Sequence, residues 1–290
     1  MRRCAFLTMD SLDGFVSDDE LTYAPLRRLG WQVEAVSWRH AAVDWGRFEV
    51  VVIRSTWDYQ QAPEQFIEVL GEIDRSGTRL ENSLQLVRWN MRKTYLRDLE
   101  GRGITVAPTV WGADLGPVSE SVILRALRAE EVVVKPVVSA NADHTYRLTR
   151  GAAAWSDAAA AFEQRDYLAQ PFLSSIVEEG EYSLFFFGGQ FSHAVLKTPK
   201  SQDFRVQEEH GGLITAVQAG PALTHAGDSV MSALAFVPLY ARVDLARLDG
   251  GQLALMELEL IEPALYFRMA EGSPERFALA LDERIRERTR

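Results

Sequence analysis

The sequence is short of several things, and each shortage removes a class of function. Cysteine occurs once, at Cys4 in the apolar run Cys4-Ala5-Phe6-Leu7. A single thiol closes no internal disulfide, which fits a reducing compartment, and its setting predicts a buried strand residue. No apolar run approaches the 18 or more residues of a membrane span, and Met1-Arg2-Arg3 precedes only a brief apolar stretch before Asp10. Neither a transmembrane helix nor a secretory signal is expected, so the chain reads as cytoplasmic. Positive charge is scarce: 31 Lys and Arg against 41 Asp and Glu leave a net −10. A nucleic-acid binder would carry a basic footprint, and an anionic membrane surface would repel this chain. Three motifs are also missing. Met9-Asp10-Ser11-Leu12-Asp13-Gly14, after the first apolar run, is no G-x-G-x-x-G, and neither a Walker A loop nor a G-x-S-x-G elbow occurs. Dinucleotide oxidoreductases, P-loop enzymes and Ser-His-Asp hydrolases are set aside accordingly.

What remains is an ordinary globular composition, 47% hydrophobic and 25% charged over 290 residues, with room for two or three subdomains. Residues 4–8 predict a strand, 17–30 a helix closed by Gly30, 31–36 and 48–53 strands, and 62–75 an amphipathic helix. The near-continuous β-branched run at 48–53 marks a strand covered on both faces. Together these predict a small open α/β domain over 1–85, with ligands expected at the carboxyl ends of its strands. The loop there is Arg54-Ser55-Thr56-Trp57-Asp58-Tyr59. It reads either as a helix cap with a solvated arginine, or as Arg54 holding a substrate carboxylate beside Trp57 or Tyr59.

Residues 82–102 read helically and contain Lys93, which alone would be a solvated face. A strand is expected after Val106-Ala107-Pro108-Thr109, a helix over 118–129, and a strand at Glu131-Val132-Val133-Val134-Lys135-Pro136. The small residues Ser139 and Ala140 that follow let backbone approach a ligand, and exposed amides beside a lysine suit phosphate oxygens. A helix at 152–165, a strand over 167–173, and a Gly188-Gly189 hairpin joining strands 182–187 and 190–196 come next. The polar loop 198–212 holds Arg205, Glu208 and His210, and a helix is expected over 228–237.

The most informative stretch is Met256-Glu257-Leu258-Glu259-Leu260-Ile261-Glu262-Pro263. On a strand, Glu257 and Glu259 share one face, and two like charges held side by side need a cation between them. The turn Asp249-Gly250-Gly251 folds this strand back on Tyr240-Ala241-Arg242-Val243-Asp244-Leu245, which brings Asp244 close to the pair. Hard oxygen ligands without histidine or cysteine point to Mg²⁺ or Mn²⁺. Glu262 falls off the alternation, which places it near substrate or in a structural role. A final helix is expected over 274–288.

Taken in order, these motifs make residues 1–263 resemble an ATP-grasp protein, closest in style to the glutathione-synthetase-like ligases. Within them, Arg54–Tyr59 and Phe204-Arg205-Val206-Gln207 resemble the branch that includes the O-ureidoserine cyclo-ligase of cycloserine biosynthesis. The resemblance implies a mixed α/β and α+β fold: a parallel-sheet pre-ATP-grasp domain (1–85), a lid region (86–170) and a C-terminal subdomain (171–290) clamping ATP. It implies Lys93 and Lys135 on ATP phosphates with Ser139 and Ala140 in the phosphate-covering loop. Gln170, Phe172 and Leu173 would line the adenine hinge, largely through backbone, and Glu181 would hold the ribose. Lys197 and Arg205 would stabilise the transferring phosphate, and Asp244, Glu257 and Glu259 would bind two magnesium (or manganese) ions. Arg54, Ser55, Thr56, Trp57 and Asp58 are the substrate candidates. The implied reaction activates a small carboxylate as an acyl phosphate and ligates it to an amine, within one molecule or between two. A non-catalytic ATP-binding module is the alternative from another class, and a homo-oligomer is in keeping with the family. Glu259 stands where many relatives carry asparagine, and the phosphate loop lacks the glycines of glutathione synthetase.

Overall fold

A computed structural model describes residues 1–287 apart from 117, 140, 141 and 202, so Ala140 lies outside the described residues. The first sheet is parallel, in the order β2-β1-β3-β4: β1 Arg2–Thr8, β2 Trp31–Ser37, β3 Val50–Ser55 and β4 Arg79–Glu81. Helices α1 (Tyr23–Arg28) and α2 (Pro63–Arg75) connect its strands. Every residue of β3 is buried, as its unbroken β-branched run predicts for a strand covered on both faces. Cys4 is fully buried in β1.

The helical reading of 82–102 resolves into α3 (Leu84–Asn90) and α4 (Tyr95–Gly101). Lys93 sits in the break, where its backbone N–H donates to the Val137 carbonyl (2.8 Å). Leu86, Tyr95, Leu96 and Leu99 pack on a later sheet, with Leu184, Phe186 and Leu258, so the 86–170 region divides between two cores. The middle sheet comprises β5 (Val110–Ala113), β6 (Glu131–Pro136), β7 (Tyr146–Thr149) and β8 (Asp166–Pro171). It is antiparallel in the order β5-β8-β6-β7, and α5 (Ser119–Leu127) and α6 (Ala154–Ala161) pack on it.

After the one-turn α7 (Ser174–Glu178) comes the third sheet, in the order β11-β10-β9-β12-β13. Its strands are β9 (Glu181–Phe187), β10 (Gln190–Thr198), β11 (Leu213–Val217), β12 (Tyr240–Arg247) and β13 (Leu253–Glu259). Helix α8 runs Pro221–Ser232 rather than 228–237, because Pro221 starts the first turn, where its missing N–H costs nothing. The edge strand β11 has no strong pattern of its own and pairs with β10 alone. Helix α9 (Ser273–Arg286) returns to the first sheet. No helix among the described residues is long and apolar enough to cross a membrane.

Candidate active site

Strand β13 is the edge of its sheet; on its outer side Leu255 exchanges backbone hydrogen bonds with Thr105 and Ala107, and further along side chains take over the closing. Asn90 donates to the Leu258 carbonyl (2.8 Å) and accepts from the Leu260 amide (2.9 Å), and the Tyr95 hydroxyl accepts from the Leu258 amide (2.9 Å). These bonds fix the strand's rotation, so Leu258 is buried while Glu257 and Glu259 face a cavity of about 180 Å³. Register places Asp244 opposite Glu257 and Arg242 opposite Glu259.

The acids are met by protein cations. Lys93 Nζ lies 2.5 Å from Glu257 and also donates to the Ser139 carbonyl (3.1 Å). Arg242 bonds Asp244 through Nε and Nη2 (3.1 Å each to the nearer oxygen) and pairs with Glu259. Lys197, 2% exposed, reaches Asp244 (3.2 Å) and Glu181 (2.6 Å), and the Ser183 hydroxyl donates to Asp244 (2.6 Å). Burial pulls Lys197 down, but Asp244 and Glu181 outweigh it and keep the ammonium charged. Burial raises Asp244, yet Arg242 and Lys197 win and hold it below the usual carboxylate range. Burial, with Asp244 and Glu257 nearby, raises Glu259 despite Arg242. Among the described residues no three of these acids stand ready as a ligand cage; each is held by a cation instead.

Lys135 differs from the other cations. It lines the same cavity and makes no ion pair within 4.0 Å among the described residues, and burial lowers its pKa. Beside it, Val133, Phe172, Leu173, Ile176 and Met256 give the cavity an apolar side. Gln170 is 2% exposed and donates to the Thr109 hydroxyl (3.1 Å), while the Phe172 amide is used by the Glu131 carbonyl (3.0 Å). From loop 198–212, Phe204, Arg205, Val206 and Gln207 reach the cavity; His210 is not among the lining residues. Arg205 is paired with Asp203 (2.9 Å), which it holds well below the usual carboxylate range.

The substrate candidates of the first domain divide. Trp57 and Tyr59 line the cavity, whereas Arg54, Ser55, Thr56 and Asp58 do not. Arg54 is 2% exposed, pairs with Asp19 (2.9 Å), donates to the Pro263 carbonyl (3.2 Å) and lies over the Tyr240 ring. Ser55 donates to Asp19 (2.5 Å), Thr56 is fully buried, and Asp58 accepts from Trp38 and Arg39 (2.7 Å each). The reason is that β3 runs on through Ser55 inside the core, so its last polar groups are consumed by the joint between domains.

Residues 4–82 match the family profile described as the N-terminal domain of D-cycloserine synthetase DcsG. The cycloserine biosynthesis protein DcsG of Streptomyces lavendulae is 30% identical over 279 residues, covering 90% of this chain and 91% of that protein. The chain belongs to the DcsG family. The crystal structure of D-cycloserine synthetase DcsG superposes with a TM-score of 0.86 at 29% identity, covering 98% of this chain and 99% of the other. The ATP-grasp ligase PsnB, solved with a minimal precursor, Mg and ADP, shares the fold at a TM-score of 0.63 and 15% identity over 98% of each chain. This DcsG-family chain is an ATP-dependent carbon–nitrogen ligase with the ATP-grasp architecture.

Two further lining residues of this DcsG-family site carry chemistry: Arg242, to which the motifs assign no role, and Glu262, expected near substrate or in a structural role. Arg242 sits two residues before Asp244 on one strand, hence on the same face, and that spacing was signal enough. Glu262 also lines the cavity, because the strand ends at Glu259 and the chain turns before Pro263. Burial, together with Glu259 and Glu257, pushes its carboxyl up to about 8.

Proposed function

We propose that this cavity binds magnesium-ATP and a small amino acid, and that the protein closes O-ureidoserine to cycloserine within one molecule. One observation carries the nucleotide half: a half-buried lysine, Lys135, with no ion pair among the described residues, in a cavity that also holds apolar side chains and a run of acids. An unpaired half-buried ammonium is costly unless an anion meets it, and a triphosphate is such an anion. The choice of organic substrate is supported by the 30% identical relative named for cycloserine biosynthesis.

Lys93 and Lys135 would receive phosphate oxygens, with the Ser139 backbone tethered alongside by Lys93. The apolar side around Phe172 and Leu173 would take the base, and Glu181 the ribose. Asp244, Glu257 and Glu259 would hold magnesium, which neutralises phosphate charge; hard carboxylate oxygens fit that ion. When bound, the nucleotide would supply the phosphoryl group that makes the carboxylate an acyl phosphate. The oxygen-bound ureido nitrogen of the same molecule would displace phosphate as the ring closes, and water would cleave off the carbamoyl group as carbamate, which breaks down to carbon dioxide and ammonia. Lys197 and Arg205 would oppose the charge that develops there. Trp57 and Tyr59 wall the organic side and help exclude water. A cytoplasmic setting belongs to the same reading, supported by the lone buried Cys4.

The test is incubation with ATP, magnesium and O-ureidoserine as the sole organic substrate, scoring ADP, phosphate and cycloserine together. Stoichiometric formation of all three is expected. ADP formation that demands a second amine would replace ring closure by intermolecular ligation. Nucleotide binding without ADP across an acid-and-amine panel would reduce the protein to a binding module.

A further inference from the structure

Glu262 stands apart from the other acids of the cavity. Asp244, Glu257, Glu259 and Glu181 each have a protein cation in contact. Glu262 has none within 4.0 Å among the described residues, its carboxyl being met only by its own backbone amide. Its position is nonetheless fixed from both sides. Trp57 Nε1 donates to the Glu262 carbonyl (2.8 Å), and Arg54 donates to the next carbonyl, that of Pro263 (3.2 Å). The first domain thus clamps this turn of backbone and leaves the side chain lining the cavity, where Glu259 and Glu257 act on it and Trp57 and Tyr59 line the same space. Burial raises the Tyr59 hydroxyl, and Glu262 is the largest charge acting on it, which places the carboxylate beside that ring.

A half-buried carboxylate without a cation is costly, and the cost is recovered when a cation arrives. Aromatic faces beside it add a second attraction for an ammonium group. We propose that the Glu262 carboxylate receives the ammonium group of an α-amino-acid substrate and so selects amino acids over deaminated acids of the same shape. The claim rests on the ligase reading above and names the part of the substrate that this wall of the site recognises. Magnesium is not its partner: the strand ends three residues earlier, and Glu262 leaves the line that Glu257 and Glu259 share.

The experiment is calorimetric titration of the full chain with magnesium and a non-hydrolysable ATP analogue present. The probes are O-ureidoserine and 3-(ureidooxy)propanoate, which lacks the α-amino group. Wild type is expected to prefer the amine by roughly 10- to 100-fold, the value of one charge-assisted hydrogen bond. Glu262→Gln should lose that preference while its affinity for the ATP analogue and its magnesium requirement stay put. Glu262→Asp should recover part of it, which also covers the case in which the glutamine variant folds badly. Retained preference in Glu262→Gln, or binding of both probes with equal affinity by wild type, would overturn the assignment. So would an altered magnesium requirement, since that would make Glu262 a metal ligand. Failure of the ligase reading looks different. There wild type ignores O-ureidoserine but prefers some other α-amino acid, such as serine or alanine, over its deaminated counterpart through Glu262.

Discussion

Arg54 and Arg242 are both buried, and both pair with an aspartate; yet one builds the molecule and the other faces its cavity. Arg54 closes a joint: Asp19 on one side, the Pro263 carbonyl on the other, the Tyr240 ring beneath. Arg242 spans Asp244 and Glu259 in the wall of the site. Burial and a salt bridge therefore do not tell the two roles apart. What separates them is whether the strand's alternation turns the side chain toward packed backbone or toward a cavity.

The sharpest break in that contrast is made at the cavity wall. Glu257→Gln should lower turnover by about 10³-fold at millimolar magnesium, because it removes charge at the centre of the proposed phosphate and magnesium site. Its melting temperature should hold, and near-normal turnover would remove Glu257 from the metal site. Next comes the matched pair Arg54→Met and Arg242→Met. The first should cost about 3–5 kcal/mol of stability in denaturant melts, because Asp19 is left buried and unpaired. Its folded fraction should keep the wild-type KM for ATP. The second should cost less, since Lys197 still serves Asp244 and Glu259 already tends to the neutral form. Its kcat/KM should fall instead, and the opposite division of effects would invert the comparison.

The smallest effect concerns His193, another polar group spent on structure. It is 7% exposed, bonds the Leu265 carbonyl (3.0 Å) and stacks on Phe185. Burial lowers it from 6.5 to about 4. A base depressed on folding gives stability that is complete above the unfolded value of 6.5 and is lost as pH falls toward 4. The loss amounts to up to about 3 kcal/mol for this one group. His193→Gln should flatten that limb of the stability curve between pH 6.5 and 4, and an unchanged slope would show that the ring stays neutral for no cost.

The ordered motifs were enough to read the ATP-grasp architecture and the parallel first sheet from the chain, because alternation, β-branched runs and the Gly188-Gly189 turn are local signals. The face shared by Glu257 and Glu259, with Asp244 opposite, was legible for the same reason. Arg54 was not, since nothing local says that Asp19 and Pro263, far along the chain in opposite directions, will close around it. Nor was the break at Lys93, which depends on a bond to Val137 in another sheet. Strand β11 was missed because an edge strand half open to solvent needs little hydrophobic pattern.

The core beneath the first sheet joins Cys4, Phe6, Val50 and Val52 to Phe277, Leu281 and Ile285 of α9, and Asp282 bonds both Arg2 and Trp31. Strand β1 is thus covered by α9, a helix that is synthesised much later. At about 5–20 residues per second, that apolar face waits on the order of 10–50 seconds for its lid during synthesis. The amino-terminal unit must be sheltered through that interval, so the yield of folded protein should respond to translation rate and to chaperone supply before it responds to any ligand.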